Sequence, residues 1–144
     1  MKTSATGLAL IEESEGLRTE PYLDVAGFPT IGYGHKILPG EDFSAGITQE
    51  QAANILASDV ANAEASVNHL MDPSCNQNQF DALVDFTFNL GGTPLATMLH
   101  HGWGQVPVQI PAWCYARVNG VLQKSPGLEA RRAREVALFT TAEA

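Results

Sequence analysis

The sequence predicts an α+β fold, mostly helical, with one small β-lobe near its N-terminus. Apolar residues recur at helical spacing through residues 49–69. NQFDALVDFTFNL reads as a helix apolar most of the way round, which belongs in a core. Strand-and-turn signals concentrate in residues 21–35. At 144 residues and 44% hydrophobic content the chain suits a single domain, one that buries roughly 70% of its unfolded surface.

In chain order, Ser4 can cap a first short helix, with Leu8 and Ile11 inward and Gly16 as its stop. PYLD and TIGYGH then form a hairpin around a turn containing Ala26-Gly27. Thr48 and Gln51 fit a capping box that opens one long helix, about 49–69, with Ile55, Leu56, Val60 and Val67 in its stripe. MDPSCNQ interrupts the chain before the apolar core helix, which ends at Gly91-Gly92. TPLATMLHHG reads as a short helix, and VPVQIPAWCYARVNG as a helix starting near Pro107 or Pro111. Pro126-Gly127 opens a last helix, LEARRAREVALFTTA.

Charge is unevenly spread. The chain carries −8 overall; residues 1–100 hold three Lys/Arg against thirteen Asp/Glu, and residues 101–144 hold five against three. That balance argues against a nucleic-acid binder and against a cationic membrane-surface peptide at either end of the chain. MKTSATGLALIEESEG, with its short apolar stretch and nearby acids, is neither a signal peptide nor a membrane span. Cys75 and Cys114 lack metal spacing and read as two buried thiols, with a disulfide formed after export as the alternative. His100-His101 has no ligand partner at suitable spacing, and Gly32-Tyr33-Gly34 is only half of a dinucleotide fingerprint. Neither a metal nor a cofactor is implied.

The chemistry concentrates in ESEGLRTEPYLDVAGFPTIGYGH. Glu15 falls at the end of the first helix, where the negative end of the helix dipole disfavours a carboxylate and favours a proton-holding acid. A five-residue loop, Val25 to Pro29, would set Asp24 opposite Thr30 on one face. Tyr22, Gly32 and Gly34 share that face by the two-residue period, and the glycines leave room for a bulky ligand. The bland alternatives are a surface glutamate, a turn-capping aspartate and glycines at a bulge. Together, an acid, a carboxylate and a hydroxyl able to hold a water make the equipment of glycoside hydrolysis.

The same residues carry a resemblance. E-G-L-R, Y-x-D and G-x-x-T-I-G-Y-G-H, with the spaced triad Glu15, Asp24 and Thr30, resemble the phage-type lysozymes of glycoside hydrolase family 24. QNQFDALVDFTFNLG and GLEARRAREVALF resemble that family's core and C-terminal helices, so the likeness spans nearly the whole chain. It implies a lysozyme-like fold of two lobes around a cleft. The β-containing lobe would occupy about 13–48, the linking helix about 49–69, and the helical lobe about 70–144 plus the N-terminal helix.

The resemblance further implies a monomeric muramidase acting on peptidoglycan glycan strands, with no cofactor, no nucleic acid and no stable membrane association. It would wait in the host cytoplasm until holin lesions release it to the periplasmic wall. Arg131 would face the catalytic glutamate and lower its pKa, opposing the helix end. The arginines beside it would be solvated, Asn89 would line the cleft or cap its helix, and His35 would be structural. Two other readings stay open: a lytic transglycosylase, which needs the acid but no water, and a silent domain that only binds glycan or another protein.

Overall fold

The computed structural model describes residues 1–143. The chain forms two compact units, Leu8–Ala61 and a second made of Met1–Gly7 with the chain from Asn62 on. Among the described residues helices dominate, with one three-stranded and one two-stranded sheet, both antiparallel.

The Leu8–Ala61 unit holds most of helix α1 (Ala5–Glu15), strands β1 (Arg18–Leu23), β2 (Pro29–Gly32) and β3 (His35–Lys36), and helix α2 (Gln49–Asp59). The sheet runs β1-β2-β3. Ile31 from β2 and Ala52 and Leu56 from α2 are buried with Ile11 and Tyr33. Thr48 caps α2 by accepting from Gln51 N–H, while the Gln51 side chain accepts from Thr48 N–H, the capping box the sequence predicted. The single helix expected over 49–69 is two. α2 stops at Asp59 and α3 (Ala61–Leu70) follows, with Val60 between them sharing its N–H between Leu56 and Ser58 carbonyls. The buried stripe Ala52, Leu56, Val60, Ala63, Val67 keeps helical spacing through the break, so periodicity alone conceals it.

The other unit is built around α4 (Gln77–Leu90), whose residues Phe80 to Thr87 are all buried. Asn76 and Gln79 form a second capping box at its start. α4 packs on α5 (Gly92–Leu99) and α7 (Pro126–Phe139). Leu95, Met98, Val106, Ile110 and Phe139 complete this core. The start of the chain is tied to it: Thr3 N–H and Oγ1 donate to Glu64 at 2.7 and 3.0 Å, and Ser4 N–H donates to Asp81 at 3.0 Å.

The segment from Val106 to Lys124 corrects the sequence reading. Only a four-residue helix forms, α6 (Val106–Gln109), followed by a tight turn at Ile110–Ala112. The chain then turns into a hairpin of β4 (Tyr115–Val118) and β5 (Val121–Lys124). Pro107 does sit in the first turn of α6, but the helix ends before Pro111, and Asn119-Gly120 has φ of 51° and 79°, as a two-residue hairpin turn requires. Cys114, just before β4, is buried; Cys75 is half-buried, and both thiols are free.

Candidate active site

Glu15 is the last residue of α1, half-buried, with Gly16 N–H bonded back to Glu12 O at 2.9 Å. Its carboxylate lies against Gly34. A Cβ added to Gly34 would stand 3.0 Å from Glu15 Oε2 and 3.6 Å from the carboxyl carbon. The gap at Gly34 is therefore occupied by the glutamate itself, rather than left open for a ligand. Gly32 also departs from the sequence reading. It is buried, and its added Cβ would meet Ile47 Cδ1 at 3.4 Å and Ala52 Cβ at 3.6 Å, so it lets α2 approach the sheet.

Asp24 and Thr30 do come together, in a different register from the one expected. Tyr22 pairs with Thr30 and Leu23 with Pro29, which places Asp24 in the loop. Asp24 Oδ1 accepts from Ala26 N–H and Phe28 N–H, both at 2.9 Å, and Asp24 N–H donates to Phe28 O at 2.9 Å. Thr30 Oγ1 donates to the same Phe28 carbonyl at 2.8 Å. The peptide groups of Phe28 thus tie the aspartate to the threonine. Thr30 is only 2% exposed, so its hydroxyl works from beneath the turn and not from an open face. Tyr22 is half-buried with the Arg18 guanidinium 4.3 Å from its ring centre, which covers one face of the ring.

Asn89 and Arg131 belong to the other unit, in a buried charged layer between α4 and α7. Arg131 forks onto Asp85, Nε to Oδ2 at 3.1 Å and Nη2 to Oδ1 at 2.9 Å. Arg132 Nη2 donates to Asn89 Oδ1 at 2.7 Å and to Glu135 Oε1 at 2.9 Å. Its Nε stands 2.9 Å from Glu135 Oε2 without the alignment of a hydrogen bond. Burial, then the hydrogen bond and charge of Asp85, push the Glu135 carboxyl up to about 10. Burial likewise lowers Arg132. The expectation that at least two of these arginines are solvated fails, because Arg131 and Arg132 are both buried against carboxyl groups. The missed signal was Asp85 itself, an acid within the apolar run ALVDFTF.

His35 has the structural partners expected of it, Nδ1 at 2.7 Å from Asp59 and Nε2 at 2.9 Å from Glu41. Burial alone would lower its pKa, and these two carboxylates raise it on balance. Among the described residues no group of three His, Cys, Asp or Glu side chains is placed to hold a metal ion.

Comparison with known proteins gives this arrangement a context. The family model for phage lysozyme matches residues 12–135. An endolysin from Acyrthosiphon pisum secondary endosymbiont phage 1 is 38% identical over 150 residues, covering 99% of this chain and all of that protein. The solved endolysin of Escherichia coli O157:H7 phage FAHEc1 superposes with a TM-score of 0.88 at 36% identity, covering 97% of this chain and 94% of that one. The muramidase domain of SpmX from Asticaccaulis excentricus gives 0.86 at 33%, covering 98% and 99%. These similarities bear out the lysozyme-like α+β expectation, and they span the segment that carries Glu15, Asp24 and Thr30: the chain belongs to the phage lysozyme family.

Proposed function

We propose that this chain is a peptidoglycan hydrolase that lyses the bacterial host wall, and specifically a muramidase cutting the β-1,4 bond between N-acetylmuramic acid and N-acetylglucosamine. Glu15 is the general acid that protonates the leaving oxygen. Asp24 and Thr30 hold the attacking water. The observation that carries the reading is the shared anchorage of Asp24 and Thr30 on Phe28, together with the clearance at Gly34 for the Glu15 carboxylate.

The hydrogen-bond directions support these roles. Asp24 Oδ1 is used by two backbone amides, so Oδ2 is the oxygen available to a water. Thr30 has given its proton to Phe28 O, so towards a water Oγ1 is an acceptor. A water donating to both has its two protons engaged, and its lone pair is the free, nucleophilic side. A held water corresponds to the inverting route, for which carboxyl separations run about 6.5–9.5 Å. Family membership supports the wall as substrate, and release from the host cytoplasm through holin lesions is part of the same proposal.

The test is product analysis on purified peptidoglycan. Reducing N-acetylmuramic acid ends are expected from the native chain, and Glu15→Gln should lower the rate by about 10²–10⁴ with the fold intact. Anhydromuropeptides as sole products would assign a transglycosylase instead. No cleavage by the native chain would leave a binding domain.

A further inference from the structure

The β4–β5 hairpin has no part in the proposed chemistry, yet it is the most unusual surface of its unit. Tyr115 and Val118 are 48% exposed, and Val121 and Leu122 are 57% exposed. Arg117 and Lys124 are exposed on the same two strands. No Asp or Glu occurs between Asp85 and Glu129, in a chain that carries sixteen acids and −8 overall. A basic, apolar, acid-free hairpin on an acidic protein calls for a partner of matching chemistry.

We propose that this hairpin docks on an anionic lipid surface, its valine tip entering the acyl boundary while Arg117 and Lys124 meet headgroup phosphates. The order of residues from tip to base supports this. Val118 pairs with Val121 at the turn, then Arg117 with Leu122, then Ala116 with Gln123, then Tyr115 with Lys124. The order is two valines, then a cation beside a leucine, then a neutral pair, then an aromatic beside a second cation, so the apolar end leads and both cations stand behind it. Three residues of strand set tip and base about 10 Å apart, close to the 5–10 Å depth of interfacial burial. Arg117 Nη1 donates to Gly120 O at 3.2 Å, which holds the cation over the turn, just behind the valines.

Other occupants fit less well. Contact with a second copy would bring two acid-free, cationic hairpins together. A hydrated anionic polymer would use the cations and leave the valine tip wet. No helix among the described residues is long and apolar enough to cross a membrane, and the proposed contact is at the surface. It goes beyond the hydrolase reading and does not rest on it.

Vesicle flotation of the full chain at near-physiological salt tests the idea, with equimolar phosphatidylglycerol and phosphatidylcholine against phosphatidylcholine alone. Partition is expected to be at least about tenfold stronger on the anionic vesicles, since each basic residue near the surface adds a several-fold factor. Val121→Asp and the Arg117→Gln/Lys124→Gln double variant should each lower it by about tenfold. Both variants should keep the native melting temperature and the native activity on isolated walls, because these side chains are exposed. Absent partition, equal partition on both vesicles, or partition unaffected by both variants overturns the proposal. A concentration-dependent dimer lost in Val121→Asp would also overturn it, by assigning the face to a second copy.

Discussion

At Gly34 two constraints coincide: the backbone has φ of 77°, and an added Cβ would stand 3.0 Å from the Glu15 carboxylate. Gly40 has φ of 90° and open space around its added Cβ. Both alanine variants should lose about 1–2 kcal/mol to backbone strain alone. Gly34→Ala is expected to lose at least tenfold in wall-lytic rate as well, because the glutamate must move, and misplacing a catalytic group is costly. Thermal melts and turbidity assays on the pair separate the two effects. Equal activity in both variants would show that the Gly34 contact does not set the position of Glu15.

At the level of elements, α4 and α7 are joined by a charged layer inside an otherwise apolar interface. Arg131→Met would strand Asp85 without its fork and should cost about 3–5 kcal/mol. Glu135→Gln keeps a donor and an acceptor in place and should change stability by less than about 1 kcal/mol at about pH 4, where the native carboxyl is protonated. Because the Glu135 pKa is raised in the fold, its stabilising contribution is complete below the unfolded value of 4.5 and is lost as pH rises towards about 10. The Gln variant should therefore gain on the native chain as pH rises, which urea midpoints across a pH series would reveal.

His35 ties β3 to α2 and to the loop at Glu41. Its pKa is also raised, so its contribution is full below 6.5 and fades as pH climbs through the higher folded value. The melting difference between the native chain and His35→Gln should then be larger at pH 5.5 than at pH 8.5 (~1 kcal/mol for a single charge-assisted pair). A difference independent of pH would mean that the imidazole acts through packing, including its edge contact with Phe43.

The same elements show what the sequence could reveal. The Thr48–Gln51 capping box and the apolar run of α4 are local signals; the first placed the start of α2 but not its end, and the second placed α4. The nearness of Asp24 to Thr30 was legible because one turn joins them, and Glu15 stood out only as a carboxylate at a helix end. The β4–β5 hairpin was lost because Pro107 and Pro111 drew attention from Asn119-Gly120, the stronger signal. Asp85 with Arg131 was lost because 46 residues separate the partners, and no local pattern spans such a gap.

For the molecule as a whole, −8 is the wrong sign for long-range attraction to an anionic wall. Added salt should therefore speed lysis at first, as screening shortens the repulsion to a Debye length of about 8 Å near 0.15 M. Clearing rates measured against NaCl on permeabilised cells would check this. A monotonic fall with salt would mean that a local basic surface dominates the encounter instead.

The buried thiol of Cys114 offers one more use. Its carbonyl accepts from Ser125 N–H at 2.8 Å, so the residue closes the base of the hairpin. Cys75, by contrast, is half-buried, and burial followed by nearby carboxylates pushes its pKa up to about 11. The Cys75 thiol is thus held as a poor nucleophile, and Cys114 is shielded by burial. Cys114 lines a hollow with Lys124 at the hairpin base and Ala133, Val136 and Ala137 of α7. Its rate of alkylation, read by mass spectrometry, would therefore time the opening of the chain at that base.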